Sequence, residues 1–239
     1  MIKEHKSGII IIFLILGSLL ISELAAKENS SLLIINAKVI DGTGSAARLE
    51  SVRINDSRIQ GLGQLRPLPG ETILDATGLV LSPGFIDTHS HHDISIFQMP
   101  DALSAISQGI TTIVVGLDGF SQVPLSGFFA KVKDNPLAVN IASYSGHNSL
   151  RNIVMGQDYQ RFSTPKEIEN MKNLLRLDMK AGALGLSTGL EYDPGIYSET
   201  DEIVALLEVV PENQGRYASH IRSEDVHLES ALDEFIEIS

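Results

Sequence analysis

Apolar residues come along this chain in two rhythms. Leu32–Asn36, Lys38–Ile40, Val52–Asn55 and Arg58–Leu62 are short apolar or alternating runs. The turn-forming stretches Asp41-Gly42-Thr43-Gly44, Asn55-Asp56-Ser57 and Gly61-Leu62-Gly63 separate them. Runs of this length between such residues predict strands, so residues 31–80 read as a small β module. From Gly78 the rhythm changes. Gly84–Thr88, Thr111–Gly116, Leu137–Ser143, Ala183–Thr188 and Tyr217–Ile221 are apolar runs of strand length with longer helical patterns between them. The clearest helix is Pro165–Ala181. Thr164 and Glu167 make a capping box, Pro165 takes the first helical position, and Gly182 stops the helix. Ser198 with Asp201 predicts the start of a second helix that Pro211 ends, and a third begins after Ser223 and runs toward Phe235 and Ile236. Buried strands alternating with helices predict a parallel sheet covered by helices. If that sheet closes into a barrel, its chemistry belongs at the C-terminal ends of the strands.

The first 26 residues follow neither rhythm. Lys3 and Lys6 precede a nearly unbroken apolar run from Ile9 to Ile21, and Ala25 and Ala26 offer small residues for cleavage. The run is shorter than the ~20 residues that span a bilayer. It predicts an export signal, with the periplasm or the exterior as destination, or else an uncleaved N-terminal anchor as the only membrane contact. Lys27 stands where a lipidated cysteine would have to be, which excludes a lipoprotein. Three segments result: 1–26 as signal or anchor, 27–81 as the β module, and 82–239 as the α/β part.

Composition narrows the chemistry. The 239 residues carry 18 basic against 30 acidic side chains, a formal charge of −12, and no stretch concentrates lysine and arginine. Phosphate binding needs a basic face, so nucleic acid is excluded as a partner. The absence of cysteine excludes disulfides and thiolate metal sites. Imidazole and carboxylate donors remain. His89-Ser90-His91 directly follows the strand Gly84–Thr88. Residues i and i+2 of an extended chain face one side, so the two imidazoles can converge on one ion of the zinc type.

Pro83-Gly84-Phe85-Ile86-Asp87-Thr88-His89-Ser90-His91 resembles the first-strand signature of the amidohydrolase superfamily of metal-dependent (β/α)8 barrels. Gly109–Gly116, Gly182–Leu190 and Tyr217–Glu224, together with Gly146-His147-Asn148-Ser149-Leu150-Arg151, resemble the N-acyl-D-amino-acid deacylase (D-aminoacylase) branch, in order along the chain from about Leu32. The resemblance implies an α/β fold, a TIM barrel preceded by part of a small β-sandwich. It implies one or two divalent ions, zinc first, with His89 and His91 at one position and His220 at the next. Asp118 departs from that branch, which has a cysteine ligand in this loop. Its carboxylate can ligate or bridge with harder character, or simply cap the turn. Glu191 is a candidate bridging group. His147 and Tyr192 are candidate substrate contacts, with structural hydrogen bonding as the other reading of each. His92 and Asp93 are candidates for orienting the first-strand imidazoles.

The implied reaction is hydrolysis of the linear amide of an N-acyl-D-amino acid or a related dipeptide. Within the superfamily, dipeptidase and cyclic-amide hydrolase activities stand as alternatives. The proton-transferring aspartate of that family ends the eighth strand and a further histidine ligand ends the sixth. Residues 82–239 supply five strand–helix units and fall well short of the ~250 residues of a typical barrel. No catalytic residue is therefore assigned. The sequence reads as the N-terminal part of a larger enzyme, against the alternative of a non-catalytic, truncated or membrane-tethered relic.

Overall fold

The structure, a computed structural model, describes residues 31–239. The predicted export signal or anchor lies outside the described residues. Among those described, no helix is long and apolar enough to cross a membrane. The chain divides after Pro83 into two compact units.

The first unit is a five-stranded sheet. Its strands are β1 (Leu32–Val39), β2 (Arg48–Asn55), β3 (Arg58–Gly63), β4 (Thr72–Asp75) and β5 (Val80–Leu81). The order is β3-β2-β1-β4, with β5 also on β1. β1 runs antiparallel to β2 and parallel to β4 and β5. The two runs read separately as Leu32–Asn36 and Lys38–Ile40 are one strand. Its register against β2 shifts between Ile34 and Ala37, where Asn36 takes a positive φ of 59°. That bulge is why the apolar pattern breaks without the strand ending. Ile34, Ala37, Val39, Val52 and Ala76 form the small core of the unit.

The second unit carries five consecutive parallel segments. These are β6 (Phe85–Asp87), β7 (Ile110–Val115), β8 (Asn140–Ser143) continued by β9 (Ser145–Gly146), β10 (Gly185–Gly189) and β11 (Arg216–His220). β6, β7 and β8 pair in that order, as do β9, β10 and β11. The third segment passes from one sheet to the other at Tyr144. Tyr144 N still donates to Val115 O at 3.0 Å, while Ser143 O accepts from Leu184 N at 2.9 Å. The helices between the strands are α1 (Leu103–Ile106), α2 (Leu125–Asp134), α3 (His147–Met155), α4 (Pro165–Ala181), α5 (Thr200–Leu207) and α6 (Leu228–Ile238). They cover a core in which Ile113, Leu125, Leu150, Met171, Leu175, Leu186 and Leu206 are fully buried. This is the strand–helix order of a (β/α)8 barrel, over five of its eight strands.

Helix α4 begins as its sequence predicts. Thr164 accepts from Glu167 N, the Glu167 side chain returns to Thr164 N, and Gly182 ends the helix at φ 107°. Helix α5 does not. Its first residue is Thr200 and no side chain caps it, because Ser198 Oγ donates to Gly195 O in the short 3₁₀ turn ahead of it.

Candidate metal centre

The donors sit where the strands end. Beyond β6 the backbone stays extended. Ser90 N donates to Val114 O at 2.9 Å, and Ser90 is buried, so its neighbours His89 and His91 project to the open side. His92 completes this anchor. Its Nδ1 lies 2.7 Å from Ser90 Oγ and its Nε2 3.1 Å from Ser104 Oγ, so it steadies the residue between the two imidazoles rather than either ring. Asp93 faces Gln122, and burial raises its carboxyl.

The β7 strand hands the chain to a tight loop. Asp118 adopts φ 54°, a left-handed conformation that aspartate tolerates better than most side chains, and Gly119 follows at φ 80°. Glycine is required at 119, since a Cβ there would strike Gly189 N and the Asn148 amide. The same crowding demands glycine at 189, where a Cβ would overlap the Asp118 carbonyl and press on the Tyr192 ring. The loop that carries Asp118 is thus packed directly on the end of β10, and Asp118 turns toward the histidines.

One Asp118 oxygen serves both rings. Oδ2 lies 3.1 Å from His89 Nε2 and 3.1 Å from His91 Nε2, with the imidazoles edge to face at 5.3 Å between centroids. The three donor atoms all fall within 4.8 Å of one another. Ligands on a tetrahedral ion with bonds of about 2.1 Å stand about 3.4 Å apart, so this set closes on zinc or a similar ion with little movement. Two imidazoles and a carboxylate are borderline-to-hard donors that suit such an ion.

A second group forms where β10 and β11 end. His220 Nε2 lies 3.0 Å from Glu191 Oε2 and its Nδ1 lies 3.2 Å from Tyr192 OH, with Glu224 Oε1 at 3.8 Å. The Nε2–H tautomer satisfies both close contacts: it donates to Glu191 and accepts from the phenol. Taking up an ion at Nε2 would replace that proton and turn Glu191 into a co-ligand. Desolvation and the negative charges of Asp118, Glu191 and Glu224 push the Tyr192 phenol up. It therefore stays protonated at neutral pH, able to donate a hydrogen bond.

Of the residues predicted to hold an ion or contact substrate, His147 is the one that the structure brings into neither group. It is fully buried, with Nε2 2.7 Å from Glu202 Oε1, and offers no surface to a substrate. Glu202 is also held by Arg151 Nη1 at 2.5 Å and Ser163 Oγ at 2.6 Å. Burial pushes the Glu202 carboxyl up, but the hydrogen bonds and charges of His147, Ser163 and Arg151 outweigh it and hold the group at about 2. Arg151 further donates to the carbonyls of Tyr159 and Arg161. Glu202 and Arg151 were given no role in the sequence reading. The available signal is the placement of His147 and Arg151 at i and i+4 on one face of α3, while nothing local marks Glu202, 55 positions beyond His147.

Residues 72–219 match the model of the amidohydrolase family. The D-aminoacylase of Alcaligenes xylosoxydans xylosoxydans is 34% identical over 230 residues, and the N-acyl-D-aspartate deacylase of the same organism is 36% identical over 233. Each match covers 87% of this chain and 47% of the relative. The chain thus spans about half the length of the curated relatives it matches. Among solved structures, the N-acyl-D-glutamate deacylase of Bordetella bronchiseptica, complexed with zinc and a phosphonate mimic of the tetrahedral intermediate, superposes with a TM-score of 0.84 at 33% identity. That match covers 88% of this chain and 49% of the other.

Proposed function

The chain belongs to the amidohydrolase family, and on that premise we propose that it carries the metal-binding part of an enzyme hydrolysing the amide of N-acyl-D-amino acids. The observation that carries this reading is the convergence of His89, His91 and Asp118 on one point at the strand ends. Relatives named as deacylases, one of them solved with zinc, support both the ion and the substrate class.

In this reading His89 and His91 present neutral ring nitrogens and Asp118 its Oδ2. His220 and Glu191 supply the second position, for one ion or two in all. A zinc held by these residues would supply Lewis acidity toward a water molecule and the amide carbonyl. The residues around it perform the rest of the work seen here. Ser90, buried and tied to Val114, fixes the angle between the two histidines. Glu191 stands at His220 Nε2 as the co-ligand, and the Tyr192 phenol donates to His220 Nδ1 and so fixes the ring, leaving its oxygen to accept from an N–H of a small substrate. The N-terminal lysines and apolar run support export of the protein.

The test is release of free amine from a panel of N-acyl-D- and N-acyl-L-amino acids by the zinc-loaded protein. Hydrolysis of D-substrates that His89→Ala plus His91→Ala abolishes is the expected result. Zinc binding without hydrolysis of any panel member would overturn the catalytic reading. It would favour the second one, a metal-binding product without turnover.

A further inference from the structure

The two donor groups are carried by different loops, and one side chain lies between those loops. Asn148, the second residue of α3, is fully buried. Its Nδ2 donates to Gly189 O at 3.0 Å and reaches Tyr192 O at 3.5 Å, which fastens the segment bearing Glu191 and Tyr192. On its other side it touches the loop bearing Asp118. A Cβ at Gly119 would strike the Asn148 amide, and so would one at Gly195. The next residue stitches the same helix end to the Asp118 loop. Ser149 N donates to Gly119 O at 3.1 Å, and Ser149 Oγ donates to Ser121 O at 3.0 Å.

Among the described residues Asn148 Oδ1 has no hydrogen-bond partner, although it is buried. Buried amide oxygens are usually paired, and leaving one unpaired is costly. The amide is held in this setting by its donations to the β10 loop and by the close packing of two glycines, not by its own satisfaction.

We propose that Asn148 is a positioning residue that pins the loop bearing Glu191 and Tyr192 against the loop bearing Asp118, holds the His220–Glu191 group in place beside the His89–His91–Asp118 group, and so permits both to hold an ion at once. The inference rests on the metal-binding reading above. Asn148 acts through the backbone of Gly189 and Tyr192, which its Nδ2 reaches. Removing a group that orients ligands from outside commonly weakens metal affinity by about 10–100-fold. Here the loss falls on the second equivalent alone.

The experiment is zinc titration of the purified chain by calorimetry, with elemental analysis after dialysis, on wild type, Asn148→Leu, Asn148→Ala and His89→Ala plus His91→Ala. Circular dichroism reports folding in each. Wild type is expected to bind two equivalents. Asn148→Leu, which keeps the volume and loses the NH₂ group, should hold the first equivalent unchanged and the second at least ~10-fold more weakly. Asn148→Ala decides if the leucine does not fit. Unchanged affinity for both equivalents would overturn the proposal, as would equal loss of both or unfolding of both variants. A single equivalent in wild type also overturns it. If the His89/His91 double substitution removes that equivalent, the metal-binding reading stands without the inference. If wild type takes up no zinc, both fall.

Discussion

Two clusters of the α/β unit are made of the same residue types and put them to opposite use. In one, His89 and His91 flank Asp118, with side chains 54% and 50% exposed around a carboxylate that is 18% exposed. In the other, His147 meets Glu202 at full burial, and Arg151 and Ser163 take up the remaining carboxylate positions. The first carboxylate has two imidazoles and little else, leaving donor atoms that an ion can bind. The second is surrounded by hydrogen-bond donors and charge, and has nothing left to offer. Burial and the number of partners, not residue type, separate the candidate metal centre from a structural lock.

Breaking the buried cluster should cost the most. Glu202→Ala strands Arg151 as an uncompensated buried charge, and about 3–5 kcal/mol of stability should be lost. Thermal unfolding followed by circular dichroism measures it, while residual folded protein should keep its affinity for zinc at the exposed cluster. A loss of zinc affinity without a loss of stability would reverse the assignment of the two clusters.

Acid should separate them next. The Glu202 carboxyl lies at about 2 in the folded chain against an ordinary value of 4.5. A lowered folded value means that its stabilisation is complete above about pH 4.5 and fades as the pH falls toward 2, by on the order of 3 kcal/mol in all. Urea unfolding of wild type and Glu202→Gln at pH 6, 4 and 3 reads this as a gap between the two that narrows with acid. A constant gap would show that Glu202 contributes packing alone.

A smaller effect tests a region that belongs to neither cluster. Thr164→Ala removes the reciprocal cap of α4 and should cost about 1 kcal/mol, with no change in zinc affinity. The midpoint of urea unfolding is sufficient to detect it.

Much of this arrangement was legible in the residues. The apolar runs located all five barrel segments within a few residues, and the spacing of His89 and His91 around one intervening residue placed both on the open side of the chain. The start and end of α4 could be read directly, because its cap is a local contact within one turn. The bulge at Asn36, the start of α5 and the burial of His147 could not. Each depends on a partner distant in the chain or on a backbone conformation that competes with the pattern: β2 opposite β1, Gly195 ahead of Ser198, and Glu202 55 positions beyond His147. Asp118 lies between these cases. Its chemistry was evident, yet its direction is set by a left-handed turn packed on Gly189, a contact between loops that no local pattern reports.

The most direct test of the metal centre is the zinc content of dialysed wild type against His89→Ala plus His91→Ala, measured by elemental analysis on protein of verified fold. Losing one outer partner of a metal site costs about 10–100-fold, so losing two ligands should weaken binding by at least roughly 100-fold and remove one zinc equivalent per chain. The melting temperature should stay close to that of wild type, because both side chains are half exposed. Zinc retained at the wild-type level would contradict the account.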